Sequence, residues 1–426
     1  MSCVTPEMVR DVVQRRAEDI IEWVKTLVRF PSENRPPSGN EAPAQEFIAE
    51  ECRKLGLTVD IFAPDKVPDI QNHPSWLAGR EYEDRRNVVA RWKGAGEGKS
   101  LLLSGHVDVA PFEPDNWKAC RPYEPVVKDG RLYGRGSADM KGGLGAAFWA
   151  LRILRELGFE PAGDVLFESL VDEEFAGGNG TLAARLRGHN ANLAVLCEPT
   201  GMEICPACVG AFLGDLTLKG RAGMPYTGTA IPNPISGAAR AIELFGEWQD
   251  KWRAENSHPL FKGAGKQLNT LLWRAESSRP GEFTQMGTPL QTMISWIVWC
   301  YPGMSEKEFY ERFRAFWQEH VARDEALKPF EIALEPRFHF IKPWETPVEG
   351  PAVKKAVEAF SRCQMDPVVG GAPFSCDLGI YGEDGGMECF LLGPRGDNLH
   401  GPDEWVLVDD ILSLTRVYAT LLLLWC

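Results

Sequence analysis

The sequence predicts an α/β fold in which a mostly parallel sheet is interrupted by an inserted α+β domain. Strand-like and helical segments alternate through the first half of the chain, a pattern typical of parallel strands joined by crossover helices. After about residue 205 the pattern changes to longer alternating strands that flank two helices, and the first pattern returns near residue 389. The chain has 426 residues. Because a single core stops growing at roughly 250–300 residues, two domains are expected.

Hydrophobic periodicity predicts the elements in order. Helical spacing of apolar residues occurs in 6–29, 42–56, 143–157, 236–253, 305–322, 351–363 and 409–425. Strands are predicted for NVVARWKG, SLLLSGHVDV, DVLFESLV, NLAVLCEP, GAFLGDLTLKGRA, QTMISWIVWCY, FEIALEPRFHF and CFLLGP. The insertion therefore spans 206–344, and 1–205 with 345–426 form the other domain. The apolar run LLLLWC is too short to cross a bilayer, so it is expected to be the buried face of the last helix.

Composition excludes several classes of partner. The formal net charge is −14 and the pI is about 5.2, which argues against nucleic acid or an anionic membrane surface, because both attract basic proteins. The first residues contain no long apolar stretch typical of a signal peptide. The eleven cysteines have no framework spacing, as expected for reduced thiols. We therefore expect a cytoplasmic protein with a small-molecule substrate.

Two short stretches imitate known motifs without the context that those motifs need. In GAGEGKS, Lys93 occupies the position of the first glycine of a phosphate-binding loop, and a strand follows where a helix is required. This stretch is interpreted as a turn. Cys205 and Cys208 form a C-x-x-C pair, but no second pair completes a zinc site, so a metal or redox role is not favoured.

Polar residues of metal-ligating type follow several of the predicted strands. They are His106 and Asp108 after SLLLSG, Asp172-Glu173-Glu174 after DVLFESLV, Glu198 after NLAVLC, His400 after CFLLGP, and Asp139 just before a helix. Each alone has an ordinary explanation, such as a packed histidine, a solvated acidic turn or a strand end. In open α/β sheets, however, ligands bind at the carboxyl ends of the strands. The joint placement therefore predicts one site at one rim of the sheet.

Histidines and carboxylates together suit a divalent metal such as zinc, manganese or cobalt. Two such ions about 3.5–4 Å apart share a carboxylate and a water, which they acidify to a nucleophile. A neighbouring carboxylate that is not a ligand then accepts the proton of that water. The residues alone do not assign these roles to particular positions.

A resemblance to a known family does assign them. The segments GHVDVAPF, DGRLYGRGSADMKGG, VDEEFAGGNGT, EPTG and HGPDEWVLVDD, with Trp117, occur in the order found in the co-catalytic metal amidohydrolases and metallopeptidases. That family includes aminoacylase, acetylornithine deacetylase, succinyl-diaminopimelate desuccinylase and glutamate carboxypeptidase. The resemblance covers nearly the whole α/β portion and implies a hydrolase of carbon–nitrogen bonds with one or two divalent metal ions as cofactors.

Carried over by position, the resemblance implies a role for each site residue. The implied metal ligands are His106, Asp139, Glu174, Glu198 and His400, with Asp139 as the bridge. Asp108 would hydrogen-bond His106 and fix its tautomer, and Glu173 would be the general base and then the acid. The family also implies a cis peptide bond after Asp139 and a lid or dimerisation domain at 206–344, hence a homodimer.

The sequence departs from the family where substrates are held. Met224 occupies the place of a lid histidine, with Tyr226 two residues on, and Trp299 and Gly379 stand where relatives have arginines. Arginine pairs with substrate carboxylates, so its loss weakens the expectation of an amino-acid substrate. The remaining candidate substrate-binding residues are Asn233, His339, Asp377 and Arg395.

Three functions stay open at this point. One is cleavage of an amide in an N-acyl amino acid or dipeptide-like substrate. Another is hydrolytic deamination of a small aromatic amine, as in a nitroanthranilate-type aminohydrolase, which a lid with Met224 and Trp299 would suit. The last is a catalytically silent metal-binding relative, against which the presence of Glu173 argues, because a base has no evident structural purpose.

Overall fold

The structure is a computed structural model that describes residues 4–112, 116–174, 176, 178–224, 228, 230–263, 265–277 and 287–426. The chain divides into two compact units. Unit 1 comprises Met1–Ala207, Trp344–Ala372 and Cys376–Cys426, and unit 2 comprises Cys208–Pro343 and Pro373–Ser375. Unit 2 thus covers nearly the same residues as the predicted insertion.

Ten helices and nineteen strands occur in the part of the chain that the structure describes. The helices are α1 (Pro6–Arg15), α2 (Ala17–Val28), α3 (Ala42–Lys54), α4 (Gly142–Glu156), α5 (Asn179–Leu186), α6 (Pro234–Glu255), α7 (Glu306–Arg323), α8 (Pro351–Arg362), α9 (Leu378–Glu383) and α10 (Val408–Trp425). The strands are β1 (Asn34–Arg35), β2 (Ser38–Gly39), β3 (Thr58–Phe62), β4 (Asn87–Trp92), β5 (Leu101–His106), β6 (Val126–Lys128), β7 (Arg131–Tyr133), β8 (Val165–Leu170), β9 (Leu193–Leu196), β10 (Ile204–Cys208), β11 (Gly210–Lys219), β12 (Thr270–Ser277), β13 (Gln291–Cys300), β14 (Glu331–Pro336), β15 (Trp344–Glu345), β16 (Val369–Ala372), β17 (Glu388–Leu391), β18 (Gly396–Asp397) and β19 (Trp405–Leu407).

The predicted elements are present with a few differences. The single helix predicted over 6–29 is two helices, because the backbone leaves the helical region at Arg16. The short helices α5 and α9 were not predicted, and neither were eleven strands, most of them short: β1, β2, β3, β6, β7, β10, β12, β15, β16, β18 and β19. The GAGEGKS stretch lies between β4 and β5 as a turn, and Cys205 and Cys208 are buried on β10 and form no disulfide.

The large sheet of unit 1 is parallel at its centre and antiparallel towards its edges. Its strand order is β15-β10-β17-β9-β5-β8-β4-β3, with β16 paired to β10. The four central strands β17, β9, β5 and β8 run parallel to one another, whereas β10, β4 and β3 pair antiparallel. The carboxyl ends of β9, β5 and β8 therefore meet at one rim, as the predicted α/β class requires.

Apolar helices cover this sheet. The helix α4 is buried over almost its whole length, and α10 packs against α4 and α8. Leu421, Leu422 and Trp425 are buried, so the predicted role of the apolar tail is confirmed. Within the described residues, no helix combines the length and the apolar composition that a bilayer crossing requires.

Unit 2 is a four-stranded antiparallel sheet with the order β12-β13-β11-β14, accompanied by α6 and α7. Its core is aromatic. Trp296 on β13 lies 4.9 Å from Phe313 of α7, and Trp248 and Trp252 of α6 stack with ring centroids 4.7 Å apart. Both edge strands, β12 and β14, have one unpaired side among the described residues.

Candidate metal centre

The predicted site residues lie where the central strands of unit 1 end. His106 is the last residue of β5, and the Glu173-Glu174 pair follows β8. Glu198 follows β9, and β9 lies between β5 and β17 in the sheet. Asp139 lies in the turn Ser137–Lys141 that leads into α4, and His400 lies in the loop between β18 and β19. The structure therefore brings the five predicted ligands to one place.

These ligands form two groups that share one carboxylate. His106, Asp139 and Glu198 form one group, and Asp139, Glu174 and His400 form the other, with the ligand atoms of each group within 4.8 Å of one another. Asp139 Oδ1 lies 3.2 Å from His106 Nε2, and Asp139 Oδ2 lies 3.3 Å from His400 Nε2. Each oxygen of the Asp139 carboxylate thus faces a different histidine, which is the arrangement that two adjacent metal ions need. The peptide bond Asp139–Met140 is cis, as the resemblance implied.

The two groups differ in exposure. The His106 side chain is 2% exposed, and its Nε2 faces Glu198 Oε1 at 3.8 Å. The His400 side chain is 55% exposed and lies 2.8 Å from Glu174 Oε2. Glu174 is held from behind, because its Oε1 accepts a hydrogen bond from the backbone N–H of Ala110 at 3.0 Å.

The main chain of Asp108 orients His106. His106 Nδ1 lies 2.8 Å from the main-chain carbonyl oxygen of Asp108, whereas the Asp108 carboxylate is 3.7 Å from that nitrogen. A carbonyl only accepts, so Nδ1 carries a proton, and Nε2 is the nitrogen that faces the carboxylates and would bind a metal ion. Asp108 therefore bonds His106, as the resemblance implied, but through its main-chain carbonyl and not through its side chain.

The Asp108 carboxylate instead holds the acidic turn. Its Oδ2 accepts hydrogen bonds from the backbone N–H groups of Glu173 and Glu174 at 3.0 and 3.1 Å, and from Asn34 Nδ2 at 2.9 Å. It is turned to this side because β5 and β8 are adjacent and parallel, so the residues that follow them face each other. Asp172 is also structural, since its carboxylate accepts a hydrogen bond from the Tyr82 hydroxyl at 2.5 Å.

Glu173 stands beside the two ligand groups without belonging to either. Its Oε2 is 3.9 Å from His106 Nε2, and its side chain is 20% exposed. Burial raises the pKa of Glu173 well above its usual value, and the nearby charges of Asp377 and Glu198 add to the shift. Burial likewise raises the pKa of Asp377 to about 6, and this residue accepts a hydrogen bond from the Thr181 hydroxyl at 2.5 Å.

The remaining pKa shifts show a site with an excess of buried negative charge. Burial raises the pKa of Glu198 to about 8, and repulsion from Asp139 adds to this effect. The charge of Glu174 raises the pKa of His400 to about 11. Burial lowers the pKa of His106, but Glu198 and the hydrogen bond to Asp139 outweigh it and raise that pKa well above its usual value. The raised pKa values mean that these buried groups need a positive charge beside them. Carboxylate oxygens and imidazole nitrogens are also the ligand atoms that divalent cations prefer.

Three residues that support the site were missed from sequence. Asn34 bonds both Asp108 and Asp172, and Arg135 pairs with Glu404 at 2.8 Å beside Asp139. The only available signal was that Arg135 and Glu404 lie inside the two conspicuous motifs YGRGSADMKGG and HGPDEW.

The candidate substrate-binding residues are more scattered. Met224 is 36% exposed, Trp299 is half-buried on β13, and Tyr226 lies outside the described residues. Asn233 caps α6 by accepting a hydrogen bond from Ile235 N–H at 3.0 Å. Arg395 pairs with Asp410 at 2.6 Å, so both side chains have structural partners, while burial lowers the pKa of His339.

Comparison with known proteins places this centre in a family. The model of peptidase family M20/M25/M40 matches residues 102–424. N-formyl-4-amino-5-aminomethyl-2-methylpyrimidine deformylase of Bacillus subtilis is 27% identical over 447 residues, covering 97% of this chain and 96% of the relative. Succinyl-diaminopimelate desuccinylase of Methylobacterium radiotolerans is 27% identical over 432 residues, with the same coverage.

Solved structures share the fold. A dipeptidase from Saccharomyces cerevisiae matches with a TM-score of 0.78 at 13% identity, covering 100% of this chain and 99% of that one. Human carnosine dipeptidase 1 matches with a TM-score of 0.71 at 15% identity, covering 98% and 99%. With the family model matching residues 102–424 of the chain and the ligand groups in place, the chain belongs to peptidase family M20/M25/M40 and is a metal-dependent hydrolase of carbon–nitrogen bonds.

Proposed function

We propose that the protein hydrolyses the amide bond of a small N-acylated amine at a centre of two divalent metal ions. One observation carries this proposal: the Asp139 carboxylate directs one oxygen to His106 and the other to His400. The first ion would be held by His106, Asp139 and Glu198, and the second by Asp139, Glu174 and His400. Zinc, manganese and cobalt all suit this donor set.

When bound, these ions would supply an acidified water and polarise the carbonyl group of the amide whose C–N bond is cleaved. The protein side chains transfer the protons. Glu173, which is outside both ligand groups, accepts the proton of the attacking water and then delivers it to the departing nitrogen. Burial raises the pKa of Glu173, so its carboxylate accepts a proton more readily than an exposed glutamate would. The Asp108 carboxylate fixes the main chain of Glu173 for this task.

The substrate is proposed to lack a carboxylate held by arginine. Three cations of unit 1 that lie close in sequence to the ligands already have partners: Arg135 pairs with Glu404, Lys141 with the carbonyl of Phe30, and Arg395 with Asp410. In unit 2, the apolar residues Met224 and Trp299 stand where the resemblance implies a lid histidine and an arginine. A compact, flat amine with a short acyl group, of the kind named for the deformylase relative, fits these features best.

Product identification tests this proposal. Metal-loaded enzyme would be offered N-formyl aromatic amines, N-succinyl amino acids, dipeptides and free aromatic amines, with Glu173→Gln as the matched control. Release of formate or another short acid from the N-acyl aromatic amines, absent with Glu173→Gln, is expected. Preferential turnover of dipeptides would contradict the substrate class, and release of ammonia would instead support the alternative of a deaminating enzyme. Absence of turnover on every substrate would favour a silent metal-binding protein.

We also propose a cytoplasmic homodimer that associates through unit 2. The edge strand β12 exposes Leu271 and Trp273, which are 48% and 41% exposed, and unpaired edge strands are templates for pairing. The free cysteines of the described residues agree with a reducing compartment. Light scattering of Trp273→Lys against the unaltered protein tests the interface, and an unchanged mass would contradict it.

A further inference from the structure

We propose that Arg135 and Glu404 are positioning residues that tie the bridging ligand to the second-site histidine, and that Arg135 selectively sets the affinity of the second metal site. This inference rests on the proposed ligands Asp139 and His400. It assigns a role to two buried side chains that belong to neither ligand group.

Glu404 organises the turn that presents Asp139. Its Oε1 accepts hydrogen bonds from the backbone N–H groups of Ala138 at 2.9 Å and Asp139 at 3.1 Å. Its Oε2 accepts from Gly136 N–H at 2.9 Å and from Arg135 Nη1 at 2.8 Å. Three N–H groups of one turn therefore converge on a single carboxylate, which fixes the backbone from which the bridging side chain projects.

Arg135 links Glu404 to the main chain of His400. While Nη1 pairs with Glu404, Nη2 donates a hydrogen bond to the main-chain carbonyl of His400 at 2.9 Å. The ion pair is sealed from solvent, with side chains 2% and 1% exposed, and the ring of Trp117 lies 5.5 Å from the guanidinium carbon. The planar guanidinium fork spans both acceptors at once, which a lysine ammonium cannot do with the same geometry.

The two metal sites depend to different degrees on the hydrogen bond between Arg135 and the His400 carbonyl. His106 ends β5 and Glu198 lies two residues after β9, and both are buried, so the sheet holds the backbone of these two first-site ligands. The third, Asp139, is held by the bonds of its turn to Glu404, which do not involve Arg135. His400 has a left-handed backbone with φ of 61° in a loop, and its side chain is half-exposed. Loss of the Arg135 bond should therefore release His400 while leaving the first-site ligands in place.

Metal titration tests this asymmetry without relying on turnover. Metal-free protein would be titrated with Co²⁺ by calorimetry and visible absorbance, with His400→Ala marking the second site. Arg135→Met and Arg135→Lys should raise the second-site Kd by about 10–100-fold, as loss of a ligand-orienting contact typically does, and leave the first-site Kd unchanged. Glu404→Gln should weaken both sites, because Asp139 is shared. Arg416→Met is the control, since it removes an arginine-to-carbonyl bond, to Cys363 at 2.8 Å, away from the site.

The outcomes separate this inference from the proposed function. Equal weakening of both sites by Arg135→Lys, or no weakening of either, overturns the inference. Binding of fewer than two ions by the unaltered protein overturns the proposed two-metal centre itself. Thermal unfolding of each variant is measured in parallel, and if Arg135→Met does not fold, Arg135→Lys, which keeps a cation beside Glu404, decides the question.

Discussion

Replacement of Asp108 by asparagine distinguishes the two roles that this residue has been given. If its carboxylate oriented His106, the substitution would weaken the first metal site. In the structure, His106 is bonded to the main-chain carbonyl, which the substitution leaves intact. The carboxylate instead receives the N–H groups of Glu173 and Glu174. We therefore expect metal affinity to be retained and the acidic turn to be loosened.

The magnitude follows from these two backbone bonds. A hydrogen bond to a charged group contributes about 1.5–3 kcal/mol and a neutral one about 0.5–1.5 kcal/mol. In Asp108→Asn, the amide oxygen still accepts both bonds but makes them neutral, so each loses about 1 kcal/mol and the free energy of unfolding falls by roughly 2 kcal/mol. Because small misplacements of a reacting group cost up to about 100-fold in rate, kcat should fall by about 10–100-fold.

The assay combines denaturant unfolding, metal titration and steady-state kinetics on Asp108→Asn and Asp108→Ala. The alanine variant leaves two buried N–H groups without their acceptor, at about 1–3 kcal/mol each, and should be the less stable of the two. Loss of first-site metal with normal kcat in the fully loaded asparagine variant would refute the reasoning, since it would show that the side chain acts through His106.

Further predictions concern the base, the metal-free state and the packing behind the site. Glu173→Gln should lower kcat by about 10²–10⁴-fold with metal content unchanged by elemental analysis, and a loss of metal would count against its role as a base. In metal-free protein the pKa of Glu198 is raised from 4.5 to about 8 and that of His400 from 6.5 to about 11. The raised pKa of Glu198 makes the folded protein less stable as the pH rises from 4.5 to about 8. The raised pKa of His400 stabilises the folded protein below pH 6.5, and this stabilisation is lost as the pH rises from 6.5 to about 11. Both effects therefore lower the melting temperature between pH 6.5 and 8. Calorimetry should show this fall without metal and a smaller one with it; equal slopes would contradict the argument. Gly143→Ala places a Cβ 2.1 Å from the carbonyl oxygen preceding Glu198 and should destabilise by about 1–3 kcal/mol, whereas Gly246→Ala in open space on α6 should stabilise by about 1 kcal/mol; thermal melts that do not separate the two variants would refute this.

The convergence of the site could be predicted because it depends on sheet topology. Strand-like runs that end in His106, Glu173 and Glu198 meet at one rim once their strands are adjacent and parallel. The antiparallel edges of the sheet were harder to foresee, since a hydrophobic run such as β4 looks the same in either direction. The position of Asp139 came from resemblance, because nothing in the local pattern of a helix start identifies a bridging carboxylate.

Hydrogen-bond partners were beyond the reach of sequence. Asp108 offers both a carbonyl and a carboxylate near His106, and the backbone course decides which of them the imidazole meets. Arg135 and Glu404 are separated by 269 positions along the chain, so no periodicity connects them. Left-handed backbone at Asp172 and His400, with φ of 67° and 61°, is likewise imposed by tertiary contacts and has no glycine to signal it.

The place of β17 in the sheet has a consequence for biosynthesis. This strand, Glu388–Leu391, pairs with β9, Leu193–Leu196, although the whole of unit 2 is translated between them. At a synthesis rate of about 5–20 residues per second, β17 is made on the order of 10–40 s after β9. Unit 2 has its own aromatic core and is complete by then, whereas His400 emerges only after β17. The metal centre therefore stays incomplete until unit 2 and β17 have been synthesised, and a nascent chain stalled before residue 388 would present an unpaired β9 edge to chaperones.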